Sequence, residues 1–240
     1  MFHRKGPTFL ELAEQALSSV ERGYDLLAEK FDYTPFRTPD AIIERAFSTL
    51  LTERELGSAV DLCCGTGAAL AQLRRYARAR VAGVDISRAM LDRAIEHANN
   101  SSGDALVEGI KGDVLYPEAS WGRFDLACSF GAFGHILESD EPRLVRSVRA
   151  LLNPGGRFVF VTADMPSITS KSYWVSRAFN AAMRVRNAVI DPPFAMYYLT
   201  FLRPRATALL EAEGFRVDVT EGLFEPPFDR YVRVVATRER

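Results

Sequence analysis

Three aspartates stand at or just past the ends of short apolar runs: Asp61 in Ala59-Val60-Asp61-Leu62-Cys63-Cys64-Gly65-Thr66-Gly67, Asp85 in Gly83-Val84-Asp85-Ile86-Ser87, and Asp113 in Gly112-Asp113-Val114. An apolar run that meets a Gly-rich turn and then opens a helix is how an α/β sheet makes a nucleotide site. Gly65 and Gly67 lack a Cβ, so a ligand can approach the backbone closely there. A dinucleotide turn would want a third glycine at position 70, which is Leu70, and a carboxylate at Asp61 would repel a pyrophosphate. A cationic amine or sulfonium would instead be attracted, by roughly 4 kcal/mol at about 4 Å and an effective dielectric near 20. The turn therefore predicts a positively charged nucleoside ligand. Asp85 suits the ribose hydroxyls, in NAD as in other nucleosides. Asp113 suits an exocyclic adenine amine through a charge-assisted hydrogen bond.

The elements that must position these acids follow a regular rhythm. Helical spacing of Leu10, Ala13, Leu17, Val20, Tyr24 and Leu27 predicts one amphipathic helix over 8–31, opened by a capping box of Thr8 and Glu11. After a Pro-rich break, Thr38 and Pro39 start a second helix to about 51. Tyr33 and Arg37 lie in the break, within reach of a ligand carboxylate or packed locally. The turn's helix runs over 68–78. Strands over 80–84, 106–111, 124–130 and 157–163 then alternate with helices over 87–99 and 139–152, which means right-handed crossovers and a mainly parallel sheet. Asn153-Pro154-Gly155-Gly156 reads as a helix stop and a turn.

The rhythm breaks after Ala163. The stretch 171–190 reads as a helix mixing aromatics with Arg177, Arg184 and Arg186, and Asp191-Pro192-Pro193-Phe194 stops it. An insertion at the carboxyl end of a late strand sits above the site, so it predicts a lid or substrate wall; the rival reading is a helix for a partner or a membrane surface. A helix over 204–213 and two strands, 215–221 and 231–237, close the chain as an antiparallel edge pair. The organisation expected is an N-terminal helical cap over 1–57, a core over 58–164, an inserted lid over 165–203 and core completion over 204–240.

The 240 residues carry a formal net charge of -1, with 48% hydrophobic and 25% charged, so no nucleic-acid partner is expected. Three cysteines at 63, 64 and 128 form neither a zinc spacing nor a disulfide framework and suggest reduced thiols in a cytosol. No apolar leader and no stretch long enough to span a membrane is evident.

In order, Val60-Asp61-Leu62-Cys63-Cys64-Gly65-Thr66-Gly67, Gly83-Val84-Asp85-Ile86-Ser87 with Met90-Leu91, Gly112-Asp113-Val114, Phe124-Asp125-Leu126 and Leu152-Asn153-Pro154-Gly155-Gly156-Arg157-Phe158 resemble the motifs of class I S-adenosylmethionine-dependent methyltransferases of the small-molecule type. The resemblance covers about 58–163 and implies a Rossmann-like doubly wound α/β sheet of about seven strands. It also implies S-adenosylmethionine as cofactor and transfer of its methyl group to a small-molecule acceptor, which the aromatics of the insertion suggest is apolar or aromatic. Asp61 and the backbone of Cys63, Cys64, Gly65, Thr66 and Gly67 would hold the methionine moiety. Asp85 would hold the ribose, Ile86 and Met90 the adenine faces, and Asp113 and Val114 its polar edge. Ser129 and Phe130 would lie beside the methyl group.

Core packing is the competing reading for Ile86 and Met90, and capping for Asp85. An oxygen or amine acceptor calls for a general base, and His135 after the fourth strand and Asp164 after the fifth have the right type and position. Arg177, Arg184 or Arg186 would pair with an acid on the acceptor. Cys63-Cys64 replaces the small or acidic residues often found there in the family. Asp191-Pro192-Pro193-Phe194 resembles the base-holding tetrapeptide of adenine N6-methyltransferases, but it follows the wrong strand. An NAD-dependent oxidoreductase and a cofactor-binding regulator without turnover are the alternatives.

Overall fold

The computed structural model describes residues 3–53 and 55–239. Met1 and Phe2, which fall within the expected cap over 1–57, lie outside the described residues, as do Arg54 and Arg240. Seven strands form one sheet: β1 (Leu56–Leu62), β2 (Ala77–Asp85), β3 (Leu106–Lys111), β4 (Phe124–Ser129), β5 (Leu152–Ala163), β6 (Phe215–Thr220) and β7 (Tyr231–Arg238), in the order β3-β2-β1-β4-β5-β7-β6. The first five are parallel, and β7 runs antiparallel to both β5 and β6. The strand order reverses between β1 and β4, so the crevice for a ligand opens at the carboxyl ends of β1, β2 and β4.

Side chains alternate across the pleat and divide the core in two. Val60, Ala127, Phe158 and Phe160 face α6 (Glu141–Leu151) and α8 (Arg203–Ala212) through Leu144, Val148 and Leu210. Ala59, Val81, Leu126 and Val159 face α3 (Asp40–Ser48), α4 (Ala68–Tyr76) and α5 (Arg88–Asn99) through Phe47, Leu70, Leu73 and Leu91. Strands covered on both faces read as continuous apolar runs, which is why β1, β2, β4 and β5 are legible. Asp125 fixes the opposite end of the sheet: its carboxylate accepts from the amides of Gly57 at 2.8 Å and Ser58 at 3.0 Å and from Asn153 Nδ2 at 2.8 Å.

Three expected boundaries change. The helix expected over 8–31 is two helices, α1 (Phe9–Leu17) and α2 (Val20–Leu27), followed by a 3-10 turn at Phe31–Tyr33. The Thr8–Glu11 capping box is present, but Ser19 starts a new helix by accepting from the Arg22 amide, as a serine competing with the helical backbone does. The helix over 68–78 ends at Tyr76 because β2 begins at Ala77 beside Leu56. The segment 153–156 does not precede β5; it bulges from within it, since Leu152 pairs with Phe124 and Arg157 with Leu126. Gly155 takes φ +79° in that bulge.

The insertion contains α7 (Lys171–Val189), a 19-residue helix with no buried residue. Asp191-Pro192-Pro193-Phe194 follows its end as expected, and Phe194 is 2% exposed. Among the described residues no helix is long and apolar enough to cross a membrane.

Candidate functional site

The β1–α4 turn is built from left-handed backbone: Cys63 has φ 55°, Gly65 φ 53° and Gly67 φ 83°. The two glycines serve different ends. A Cβ on Gly67 would lie 2.7 Å from the Ala94 Cα, so this glycine allows α5 to pack against the start of α4. A Cβ on Gly65 would meet only the Phe31 ring, at 3.7 Å. Close approach of a ligand therefore belongs to Gly65, and Gly67 performs the packing that a third glycine performs in dinucleotide turns.

Asp85 closes β2 beneath this turn and accepts from the Gly65 amide and the Ser87 amide, each at 2.9 Å. Burial pushes its carboxyl up, and the amides that bond it oppose that shift. Asp61 is 2% exposed and accepts from the Leu70 amide at 3.1 Å and the Cys128 thiol at 3.5 Å. The carboxylate expected to face the ligand thus also anchors the first turn of α4, and burial pushes its pKa up to about 7. Asp113 is exposed past β3 and accepts from the Leu115 amide at 2.9 Å, with Val114 buried beside it.

The other expected residues divide by burial. Met90 is 0% exposed and its amide is capped by the Ser87 hydroxyl, so it sits in the core beneath the site, whereas Ile86 is half-buried at its rim. Ser129 donates to the Leu62 carbonyl at 2.9 Å and stitches β4 to β1. Phe130 packs edge-on against Phe47. Thr66 donates from its hydroxyl to Asp32 at 2.5 Å. Burial raises the thiols of Cys63 and Cys64, which makes them inert hydrophobes rather than a reactive pair.

Contacts from the cap and the insertion, invisible in local sequence, cover this floor. Asp25 of α2 accepts from the Ser87 hydroxyl at 2.6 Å and the Ala89 amide at 3.1 Å, placing a carboxylate on the positive end of α5. Tyr24 Oη lies 2.6 Å from His135 Nε2, and His135 Nδ1 lies 2.6 Å from the Ala195 carbonyl. A carbonyl only accepts, so Nδ1 carries the proton and Nε2 accepts from Tyr24. Phe194 stacks on Tyr24 and meets the imidazole edge-on. Burial lowers the pKa of His135 and raises that of Tyr24, to which the Asp85 charge adds. His135 is thus neutral, with both nitrogens engaged.

Asp164 does not stand free as a base: it is exposed and bonded to the Arg203 guanidinium. Arg37 pairs with Asp32 at 3.1 Å and Asp40 at 2.6 Å, and Tyr33 stacks on His3, so the break residues pack locally. Arg186 donates to the carbonyls of Ala16 at 2.9 Å, Ser18 at 3.2 Å and Pro192 at 2.6 Å; it ties α7 to α1. Arg177 and Arg184 are exposed. Asp85 at the Gly65 amide, Asp32 at the Thr66 hydroxyl, Asp25 at the start of α5 and Asp113 exposed past β3 are carboxylate acceptors about the turn, with Asp61 buried beneath it, an arrangement that fits a cationic nucleoside.

Residues 59–156 match a family model described as a methyltransferase domain. The chain is similar to trans-aconitate 2-methyltransferase of Deinococcus radiodurans, 35% identical over 52% of this chain and 45% of that protein. It is also similar to the ubiquinone biosynthesis O-methyltransferase of Coxiella burnetii, 28% identical over 70% of this chain and 67% of that one. The chain spans under half the length of the first of these relatives. In fold it resembles an O-methyltransferase family protein from Burkholderia thailandensis, with TM-score 0.65, 16% identity and coverage of 99% of this chain and 65% of that chain. It resembles DhpI in its complex with SAH as well, with TM-score 0.62, 19% identity and coverage of 97% and 99%.

Proposed function

We propose that the chain is a class I S-adenosylmethionine-dependent methyltransferase, a reading that the match of residues 59–156 to a methyltransferase domain supports, and that it methylates a small, apolar or aromatic acceptor in the cytoplasm. The observation that carries this is the set of carboxylates Asp61, Asp85 and Asp113 at the carboxyl ends of β1, β2 and β3, of which Asp85 accepts from the Gly65 amide. An NAD-dependent oxidoreductase would set Asp61 beneath the turn that binds a pyrophosphate, and would want a third glycine where this chain has Leu70.

S-adenosylmethionine, when bound, supplies a methyl group already activated on a sulfonium. What the chain must add is orientation and exclusion of water, which contribute on the order of 7 to 11 kcal/mol in favourable cases. Asp85 would hold the ribose hydroxyls, Ile86 and Val114 would border the adenine, and the Gly65 backbone would lie against the methionine moiety. α2 and the 3-10 turn exclude water by lying across the turn, and α7 with Phe194 walls the acceptor side. His135 serves an oxygen or nitrogen acceptor through Tyr24. The hydroxyl takes the acceptor's proton as its own passes to Nε2, and the Ala195 carbonyl holds the Nδ1 hydrogen of the resulting imidazolium. The segment 165–203 acts as the lid. Calorimetric titration with S-adenosylhomocysteine and with NAD tests the reading: binding of the first and none of the second is expected, and the reverse overturns it.

A further inference from the structure

Helix α7 turns its apolar face outward. Trp174 is 63% exposed, Val175 56%, Val185 65% and Val189 74%. Exposed alanines at 178, 181, 182 and 188 fill the positions between, so these residues form one continuous arc at helical spacing. Three features make the arc more than scattered surface. The stretch 165–190 contains no Asp or Glu but carries Lys171, Arg177, Arg184 and Arg186, in a chain whose net charge is -1. Arg177 and Arg184, both exposed, flank the arc along one side. The Arg186 bonds tie α7 to the C-terminal end of α1, at Ala16 and Ser18 on either side of Leu17, which is 57% exposed; Phe9 and Leu10 of the same helix are 79% and 78% exposed. Glu14 is exposed on α1, which places the basic bias on α7.

We propose that the outer face of α7, with α1 beside it, seats on an anionic bilayer surface. Apolar residues facing out, cations beside them and an indole among them are what an interfacial helix needs: the apolar arc enters the acyl boundary and the guanidinium groups meet lipid phosphates. A second copy of the chain fits less well. A two-fold contact through this arc would bring Arg177 and Arg184 toward their own counterparts, and the segment supplies no acid to pair with them. The same helix walls the acceptor side of the site, so a seated enzyme would draw a lipophilic acceptor directly from the lipid. The seating itself does not depend on the methyl-transfer reading.

The test is co-sedimentation of the full chain with vesicles of phosphatidylcholine alone and of phosphatidylcholine mixed equally with phosphatidylglycerol. Trp174 fluorescence is followed in parallel; Trp121 is 6% exposed and reports little of the outer surface. Partition into the mixed vesicles with a blue shift is expected, and added salt should weaken it. Each cation near an anionic surface is worth about 1 kcal/mol, or about fivefold, so Arg177→Glu with Arg184→Glu should lower partition at least tenfold. Val185→Glu should abolish the blue shift. All of these side chains are exposed, so the variants should keep the wild-type unfolding curve and affinity for S-adenosylhomocysteine, which separates failure of this proposal from failure of the site. Equal partition into both vesicle types, or into neither, overturns it. So does a concentration-dependent dimer in sedimentation equilibrium that Val185→Glu dissociates.

Discussion

Helix α5 turns Met90, Leu91, Ala94 and Ala98 onto the sheet, whereas α7 turns Trp174, Val175, Val185 and Val189 to solvent. Both have amphipathic spacing, and both open on a serine that caps the third residue on, Ser87 to the Met90 amide and Ser170 to the Tyr173 amide. The difference lies in what each must do. Helix α5 is a crossover between two parallel strands; its apolar face has one place to go, and its N-terminus is thereby carried to the ligand crevice. Helix α7 connects β5 to the edge of the fold and is held by polar ties: Arg186 to α1, Asn180 to Tyr198 and Asn187 to the Phe194 carbonyl. Residues of α5 at the candidate site belong to the core, whereas α7 is held by hydrogen bonds.

The largest expected effect breaks or keeps this contrast directly. Leu91→Ala should lower the unfolding free energy in urea by about 2 to 5 kcal/mol, and Val185→Ala by less than about 0.5 kcal/mol. Similar losses at the two positions would mean that the outer face of α7 is covered in solution. Next, Asp85→Ala should weaken S-adenosylhomocysteine binding by roughly 1 to 3 kcal/mol in calorimetry, through lost ribose hydrogen bonds. Unchanged affinity would remove Asp85 from the site.

The pH dependence of stability separates two parts of the site by its sign. Burial raises Asp61 from the ordinary 3.8 to about 7, so the folded state holds this proton more tightly than the unfolded chain. The stability it contributes is complete below 3.8 and is lost as pH rises toward 7. Burial lowers His135 from the ordinary 6.5, so its contribution is complete above that value and is lost as pH falls through the folded pKa. In urea titrations from about pH 4 to about pH 8, Asp61→Asn should reduce the loss on raising the pH, with the remainder due to Asp85, which burial also raises, and His135→Gln should reduce the loss on lowering it. A single common slope in both variants would sink the assignment of opposite signs.

The parts of the site that local sequence reveals are those held by neighbours in sequence or in the adjacent strand. Asp85 could be read from its place at a strand end, and its partners Gly65 and Ser87 belong to the same pattern of turn and cap. The two glycines could be read as a pair but not told apart, because what a Cβ would meet at Gly67 is Ala94, on another helix. Met90 could be read as adenine contact or core; its 0% exposure places it in the core. Asp164 looked free because its partner Arg203 lies 39 residues on, beyond the insertion.

By itself the sequence determined the order of strands and crossovers, the Gly turn and the row of acids, because each rests on periodicity, capping and turn chemistry within a few residues. Tertiary structure alone decided the cover. Tyr24 and His135 are 111 residues apart, and Asp25 and Ser87 62 apart. Such pairs carry no local signal: they form only when the sheet has brought the ends of distant strands to one edge and the cap has folded across them.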